Sequence, residues 1–313
     1  MKLDKLRLKP GSNWRPVLAL TAVVASWASA SVVTRYLYLH ELASPFTLMV
    51  ARFSLAGIIS LLTYYFLYRK RNPDKLPLVG GSRVYLLGGL MMTAFILGFN
   101  AALFYITAIL GSLYFYALNP VLMYVIGYFW LGTSFGWRQI AGLLLAMLGL
   151  VIVISGGDFQ HLIASFSGSN LLFGLALMSL AGLGWSAYSL WGKRYTLPRP
   201  GTSILSNGIN QLLGVFPILV LWLVIEPGGL FKLQPLSWLL ILYVGVVPTS
   251  LGFAIFYTVL KELTVNQAAT IQLLNPVFAA ILAIIFLGEP FNLALVAGTL
   301  VLLYGIRVST RLK

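Results

Sequence analysis

Long apolar stretches, separated by short polar breaks, constrain the fold of this chain more than any other feature. A helix needs about 20 mainly apolar residues to cross the hydrocarbon core of a bilayer. Glycine, proline and charged residues divide the sequence into stretches of that kind. The predicted spans are 16–39, 46–68, 84–106, 111–131 and 137–154, followed by 171–191, 203–225, 236–260, 265–287 and 293–308.

The scarcity of charged residues agrees with a chain that is solvated mainly by lipid. Apolar residues make up 59% of the sequence and charged residues 9%, whereas soluble domains carry about 25% charged residues. The predicted fold class is therefore an all-α integral membrane protein with ten transmembrane helices. Cysteine is absent, which excludes disulfides and thiolate metal sites.

The basic residues indicate the orientation of the chain. With ten spans, both termini and every second loop share one side, and that side carries 18 of the 21 Lys and Arg residues. Arg35 and Arg52 lie within predicted helices, and Lys232 lies in a loop on the opposite side. Because basic loops remain in the cytoplasm, we expect a multi-pass protein of the plasma (cell inner) membrane with both termini cytoplasmic. The net charge of +14 then requires no nucleic-acid partner.

An internal repeat relates the two halves of the chain. An offset of 156 residues relates Asn119-Pro120 to Asn275-Pro276, Leu131-Gly132 to Leu287-Gly288, Ala141-Gly142 to Ala297-Gly298, and Gly149 to Gly305. An offset of 158 relates Trp27, Ser31 and Arg35 to Trp185, Ser189 and Lys193. The predicted units are a cytoplasmic tail (1–15), a five-helix repeat (16–155), an external linker (156–170), a second five-helix repeat (171–308) and a second cytoplasmic tail (309–313).

Each predicted repeat contains five spans, and this odd number gives the two repeats opposite orientations in the membrane. Inverted repeats of this kind occur in transporters that expose a central site alternately to each side. Substrates of such proteins bind near the midplane, between the repeats. The repeat therefore predicts a site where residues of both halves meet.

These residues resemble the EamA-type branch of the drug/metabolite transporter superfamily, over about residues 17–307. The resemblance rests on the tryptophans of spans 1 and 6, Arg52, both Asn-Pro pairs, and Leu287-Gly288-Glu289. The first repeat departs from it, with Thr133 in place of the glutamate. The resemblance implies a cavity lined by spans 1–4 and 6–9, with spans 5 and 10 outside as scaffolding. It also implies export or exchange of amino acids and related metabolites.

Polar side chains within the spans are the candidate substrate-binding residues, because polar groups are costly in lipid and so face inward. Tyr116 and Asn119 share one face of span 4, and Gln272 and Asn275 share the matching face of span 9. One interpretation is contact with substrate. The other is hydrogen bonding between helices, and for the two asparagines also to the carbonyl group that the following proline leaves free.

Trp27 and Trp185 lie near the middle of their spans, where anchoring at the interface is not expected. They are therefore candidates for aromatic walls of the cavity. Tyr188 shares the face of Trp185.

Span 7 carries a polar stripe that contains Asn210 and Gln211. We expect this stripe to face the cavity or a neighbouring helix. Asn100 in span 3 and Tyr257 in span 8 are weaker candidates of the same kind.

Arg52 lies about two turns into span 2, where an unpaired charge is costly. It either attracts a substrate carboxylate or has a structural role, by snorkelling or by pairing with Glu41 or Glu289 at the outer rim. Arg52 and Glu289 are thus possible charge partners.

The predicted function is transport of a small polar or zwitterionic metabolite. The expected partners are a small-molecule substrate and the lipid bilayer, with no cofactor, no metal and no nucleic acid, and the sequence does not indicate an oligomeric state. A flippase for lipid-linked headgroups is the alternative. A membrane-embedded transferase is disfavoured, because His40 and His161 lie far apart in loops and no cluster of catalytic or metal-binding groups is evident.

Overall fold

The computed structural model describes residues 14–69, 81–131, 136–156, 169–195, 201–259, 262, 271–272 and 274–310. Throughout these residues the regular secondary structure is helical, without a β-strand. The helices of the first half are α1 (Trp14–Leu39), α2 (Pro45–Tyr64), α3 (Ser82–Tyr105), α4 (Ala108–Leu131) and α5 (Trp137–Ser155). Those of the second half are α6 (Ser169–Tyr195), α7 (Thr202–Ile225), α8 (Pro235–Val244 and Gly252–Val259), α9 (Leu274–Leu287) and α10 (Leu293–Thr310).

Seven of the described helices are long and apolar enough to cross a membrane, and three shorter apolar helices lie at Ile140–Val153, Leu274–Leu287 and Leu293–Gly305. Large apolar side chains such as Phe129, Phe286 and Leu300 are exposed, while Asn100 and Asn210 are buried. This distribution suits a lipid environment. The chain is therefore a multi-pass integral membrane protein, and the count of ten spans stays a prediction.

A π-helical turn interrupts α8 at Gly245–Leu251 and contains Pro248. Proline has no backbone N–H, so the regular i to i−4 hydrogen bond is missing at this position and the helix adopts a wider turn. The Pro248 carbonyl group accepts a hydrogen bond from Trp27 Nε1 at 2.9 Å. The irregular turn therefore joins α8 to α1 beside the central cavity.

The helix contacts occur in pairs that the internal repeat relates. The contact of α1 with α9 has its counterpart in the contact of α6 with α4, and the contact of α1 with α8 has its counterpart in that of α6 with α3. The contacts α2–α7, α4–α9 and α5–α10 join equivalent helices. Each repeat is thus packed against the other through the same set of surfaces.

Glycine permits the close approach of α5 and α10. A Cβ atom added to Gly149 would lie 2.5 Å from the Gly298 carbonyl oxygen, and one added to Gly298 would lie 2.6 Å from the Gly149 carbonyl oxygen. Side chains at these positions would force the helices apart. The glycines that revealed the repeat therefore have a packing role.

Candidate functional site

A partly open cavity lies between the repeats, and its empty space, including the part that opens to the outside, is about 600 Å³. Helices α1–α4, α6 and α8 contribute to it, together with residues at the start of α9. Its walls are formed by Trp27, Ala30, Ser31, Arg52, Phe53, Phe95, Phe99, Ser112, Phe115, Tyr116, Trp185, Pro248, Phe253, Gln272 and Asn275. No α7 residue is among the described lining residues, and the implied contribution of span 7 stays a prediction.

The repeat-related tryptophans meet in this cavity. The rings of Trp27 and Trp185 lie 6.3 Å apart in an edge-to-face arrangement, with an angle of 78° between their planes. Phe253 contacts both rings, at centroid distances of 5.6 and 5.4 Å. Phe95 lies 5.1 Å from Trp185. These rings form an aromatic wall that suits flat or apolar groups and cations.

Arg52 supplies the positive charge of the cavity. Its Nε donates to Thr249 Oγ1 at 3.0 Å, and its Nη1 donates to Asn100 Oδ1 at 3.2 Å and to Thr34 Oγ1 at 3.5 Å. The Thr249 hydroxyl group itself donates to the Val244 carbonyl oxygen. This bond turns the oxygen lone pairs of Thr249 towards Arg52. The π-helical turn of α8 therefore helps to hold the guanidinium group in place.

Three of the four predicted polar residues of spans 4 and 9 lie at the cavity. Tyr116, Gln272 and Asn275 all line it. Asn275 also joins three helices, because its Oδ1 accepts from Ser112 Oγ at 2.9 Å and its Nδ2 donates to the Val24 carbonyl oxygen at 3.1 Å. Asn275 thus has a structural role in addition to its place in the wall.

Three other predicted site residues lie outside the cavity wall. Asn100 donates to the Ile96 carbonyl oxygen and accepts from Arg52. Asn119 accepts from Ser186 Oγ at 3.3 Å, and the Tyr188 hydroxyl group donates to Asn207 Oδ1 at 3.4 Å. The alternative interpretation, hydrogen bonding between or within helices, describes their contacts here.

Asn210 and Gln211 are completely buried. None of their side-chain nitrogen or oxygen atoms has a hydrogen-bond partner among the residues that the structure describes. Asn210 lies against Gly88 of α3, where an added Cβ atom would come within 2.7 Å of Asn210 Oδ1. The side chain of Tyr257 lies outside the described residues.

Arg52 and Glu289 have separate partners, so the expected pairing of these two residues is not formed. Glu289 accepts from the backbone N–H groups of Ala108 and Ile109, at 2.6 and 3.0 Å, and so caps the N-terminus of α4. Burial raises the pKa of Glu289, while these hydrogen bonds and the nearby charge of Arg35 oppose that rise. Arg35 Nη1 donates to the Leu103 and Phe104 carbonyl oxygens at the end of α3. The two charged residues therefore stabilise the junction of α3 and α4.

Sequence reasoning missed the phenylalanines of the cavity and the role of Thr249. Phe95 and Phe99 are four residues apart, as are Trp27 and Ser31. This spacing places both phenylalanines on one face of a helix, and it could have indicated that they line the cavity. Thr249 gave no such signal, because its position depends on the interrupted helix. Within the described ranges, no group of three or more His, Cys, Asp or Glu residues is placed to hold a metal ion.

Comparisons with known proteins agree with this architecture. Residues 14–155 and 172–311 each match the profile of the EamA-like transporter family. A solved structure with 18% sequence identity superimposes with a TM-score of 0.68, covering 94% of this chain and 95% of the other. At that identity the match supports the fold alone.

The similar sequences include named transporters. An uncharacterised protein of Pseudomonas aeruginosa is 29% identical, across 79% of this chain and 78% of its own length. A probable amino-acid metabolite efflux pump of Salmonella typhimurium is 26% identical, across 55% of this chain and 57% of its own length. An uncharacterised transporter of Archaeoglobus fulgidus is 25% identical, across 94% of this chain and 98% of its own length.

Proposed function

The chain belongs to the EamA-like transporter family, and from this premise we propose that it carries an amino acid or related small metabolite across the membrane through the central cavity. Export or exchange is the proposed mode, since one similar protein is named a probable amino-acid metabolite efflux pump. The observation that carries the proposal is the meeting of Trp27 and Trp185, equivalent residues of the two repeats, in one cavity.

Alternating access is the mechanism that we propose for this transport. Two repeats of five spans in opposite orientations can exchange their packings, which closes the cavity on one side and opens it on the other. Paired contacts between equivalent helices support this arrangement. The concentration of basic residues in the tails and alternate loops supports cytoplasmic termini and a location in the plasma membrane.

The proposal can be tested by measuring the melting temperature of the purified protein in detergent. The compounds to be added are amino acids, amines, nucleosides, sugar phosphates and lipid-linked headgroups. A ligand at a hundredfold excess over its Kd stabilises the folded state by about 2.7 kcal/mol. Uptake of the stabilising compound into proteoliposomes then measures transport. We expect an amino acid or a related compound to stabilise the protein and to be transported.

Two tryptophan variants locate the site. Trp185→Ala should abolish the ligand-induced shift, because it removes part of the cavity wall. Trp137→Ala is the matched control, because Trp137 is 76% exposed on α5 and should leave the shift unchanged. Stabilisation by lipid-linked headgroups alone would favour a flippase instead, and a panel without any transported compound would contradict the transport assignment.

A further inference from the structure

The guanidinium group of Arg52 is buried beside the cavity without a compensating negative charge. The side chain is 7% exposed. All three of its hydrogen bonds go to neutral oxygen atoms, those of Thr249, Asn100 and Thr34. No Asp or Glu in the described part of the chain bonds to Arg52 or forms an ion pair with it. A buried charge without a counter-ion is unfavourable, so an anionic ligand would stabilise the guanidinium group of Arg52.

Two N–H donors of the same group remain available for a ligand. A guanidinium group has five N–H donors, and the hydrogen bonds of Arg52 involve Nε and Nη1. Its Nη2 has no partner among the described residues, and Arg52 lines the cavity. A ligand anion that accepts from Nη2 would form charge-assisted hydrogen bonds, and a carboxylate brings the single negative charge that balances one guanidinium group.

The remaining cavity wall favours an apolar or aromatic body for such a ligand. Phe53 lies beneath the guanidinium group, with 4.8 Å between the Arg52 Cζ atom and the ring centroid. Trp27 and Trp185 form the aromatic wall. None of the described lining residues is acidic, so a ligand ammonium group would meet aromatic rings or amide oxygens and no carboxylate.

We propose that Arg52 binds the carboxylate of the transported substrate, and that the aromatic wall holds the apolar or aromatic remainder. This inference rests on the proposed transport function and specifies its substrate class. The substrate supplies the negative charge that the site lacks, and the weak screening inside the cavity strengthens the resulting ion pair. The carboxylate is the required group, and the ammonium group is not.

Ligands that share one carbon skeleton but carry only a carboxylate, only an ammonium group or both show which charged group the protein requires. The purified protein is tested with L-phenylalanine, its amide, 3-phenylpropionate and 2-phenylethylamine, and with leucine, its amide, 4-methylpentanoate and isopentylamine. We expect stabilisation by the carboxylates of at least one scaffold and none by the corresponding amide or amine. Stabilisation by amines or amides as strong as that by carboxylates overturns the inference, as does the absence of any carboxylate effect.

Failure of this inference differs from failure of the proposed function. If an amine is the stabilising and transported ligand, the protein is still a transporter, and Arg52 does not select its substrate. If no compound of the wider panel is transported, the proposed function itself fails.

Two arginine variants identify the residue responsible. Arg52→Gln should weaken carboxylate binding by about tenfold or more, because a hydrogen-bonded ion pair is lost, while any residual binding no longer discriminates carboxylate from amide. Arg35→Gln is the control, since Arg35 bonds to backbone carbonyls of α3 and lies outside the cavity wall.

A purely structural role for Arg52 predicts a different result. The Arg52→Gln protein would then melt at a lower temperature yet keep the parent ratio of carboxylate to amide affinity, which contradicts the inference. If that variant does not fold, Arg52→Met also removes the charge and leaves an apolar side chain of similar length, so its ratio of carboxylate to amide affinity decides in the same way.

Discussion

Arg52 in α2 and Asn210 in α7 occupy equivalent positions in the two repeats, yet their surroundings differ. The offset of 158 residues that relates Trp27 to Trp185 also relates Arg52 to Asn210. Arg52 is charged, lies at the cavity and donates three hydrogen bonds. Asn210 is neutral, lies away from the cavity and has no hydrogen-bond partner in the structure. One repeat therefore presents a charged and partly hydrogen-bonded residue to the cavity, and the other buries a neutral residue without a hydrogen-bond partner among the described residues.

Close contacts beside the two residues support their equivalence. A Cβ atom added to Gly245 would meet Leu55 at 3.0 Å, and one added to Gly89 would meet Leu213 at 2.6 Å. Gly89 and Gly245 are related by the offset of 156, and Leu55 and Leu213 by that of 158. In both the α2–α8 and the α7–α3 contact, a leucine of the first helix therefore packs against a glycine of the second. The difference between Arg52 and Asn210 shows that the repeats have kept a common packing while their polar residues have diverged.

Exchange of the two residue types should produce the largest effect. Asn210→Arg places a guanidinium group in a completely buried position without an acidic partner, and should lower the free energy of unfolding by about 3–5 kcal/mol. Arg52→Asn removes a buried charge but also leaves the oxygens of its hydrogen-bond partners without a donor, and should lower the free energy of unfolding by less, about 1–2 kcal/mol. Thermal unfolding in detergent measures both variants. Equal losses would contradict the comparison.

Replacement of a buried asparagine by leucine should change the free energy of unfolding by a smaller amount. The sign of the change should differ between Asn210 and Asn100. Asn210→Leu removes an amide without hydrogen bonds and should raise the free energy of unfolding by about 1–2 kcal/mol. Asn100→Leu is the matched control, because Asn100 is equally buried but bonds to Arg52 and to the Ile96 carbonyl oxygen. That variant should lose about 1–3 kcal/mol. Destabilisation by both would mean that Asn210 has a partner, such as bound water.

The smallest effect concerns Glu289, whose repeat-related position is Thr133. Thr133 lies outside the described residues. Because burial raises the pKa of Glu289, the folded protein binds a proton more readily than the unfolded chain. The stability from this group is therefore fully present below the ordinary carboxyl pKa and is lost as the pH rises through the raised value.

A pH series of melting temperatures tests this dependence. Glu289→Gln should remove this component of the pH slope, whereas Glu41→Gln, at an exposed glutamate, should retain it. A slope that is unchanged in Glu289→Gln would assign the pH dependence to other groups.

The helical architecture could be predicted from the length of the apolar stretches and from the repeat. The predicted spans 16–39, 84–106 and 203–225, for example, agree within two residues with the bounds of α1, α3 and α7. Trp27 and Trp185 line the cavity, and their helical spacing and mid-span position could be read from local sequence; their contact with substrate stays a prediction. The partners of Arg52 were not foreseen. They come from α1, α3 and α8, and the bond to Thr249 depends on the π-helical turn around Pro248.

The sequence by itself determined that this chain lies in a membrane, that its halves are related, and that polar residues face inward. The physical reason is that every polar group exposed to lipid costs free energy, so the order of polar and apolar residues along the chain carries this information. Tertiary structure decided which of those polar residues meet. Asn100 and Asn210 are both buried amides in the middle of apolar helices. The packing of neighbouring helices brings Arg52 to the first and no described hydrogen-bond partner to the second. Such pairing depends on distances between helices, which no local pattern of residues encodes.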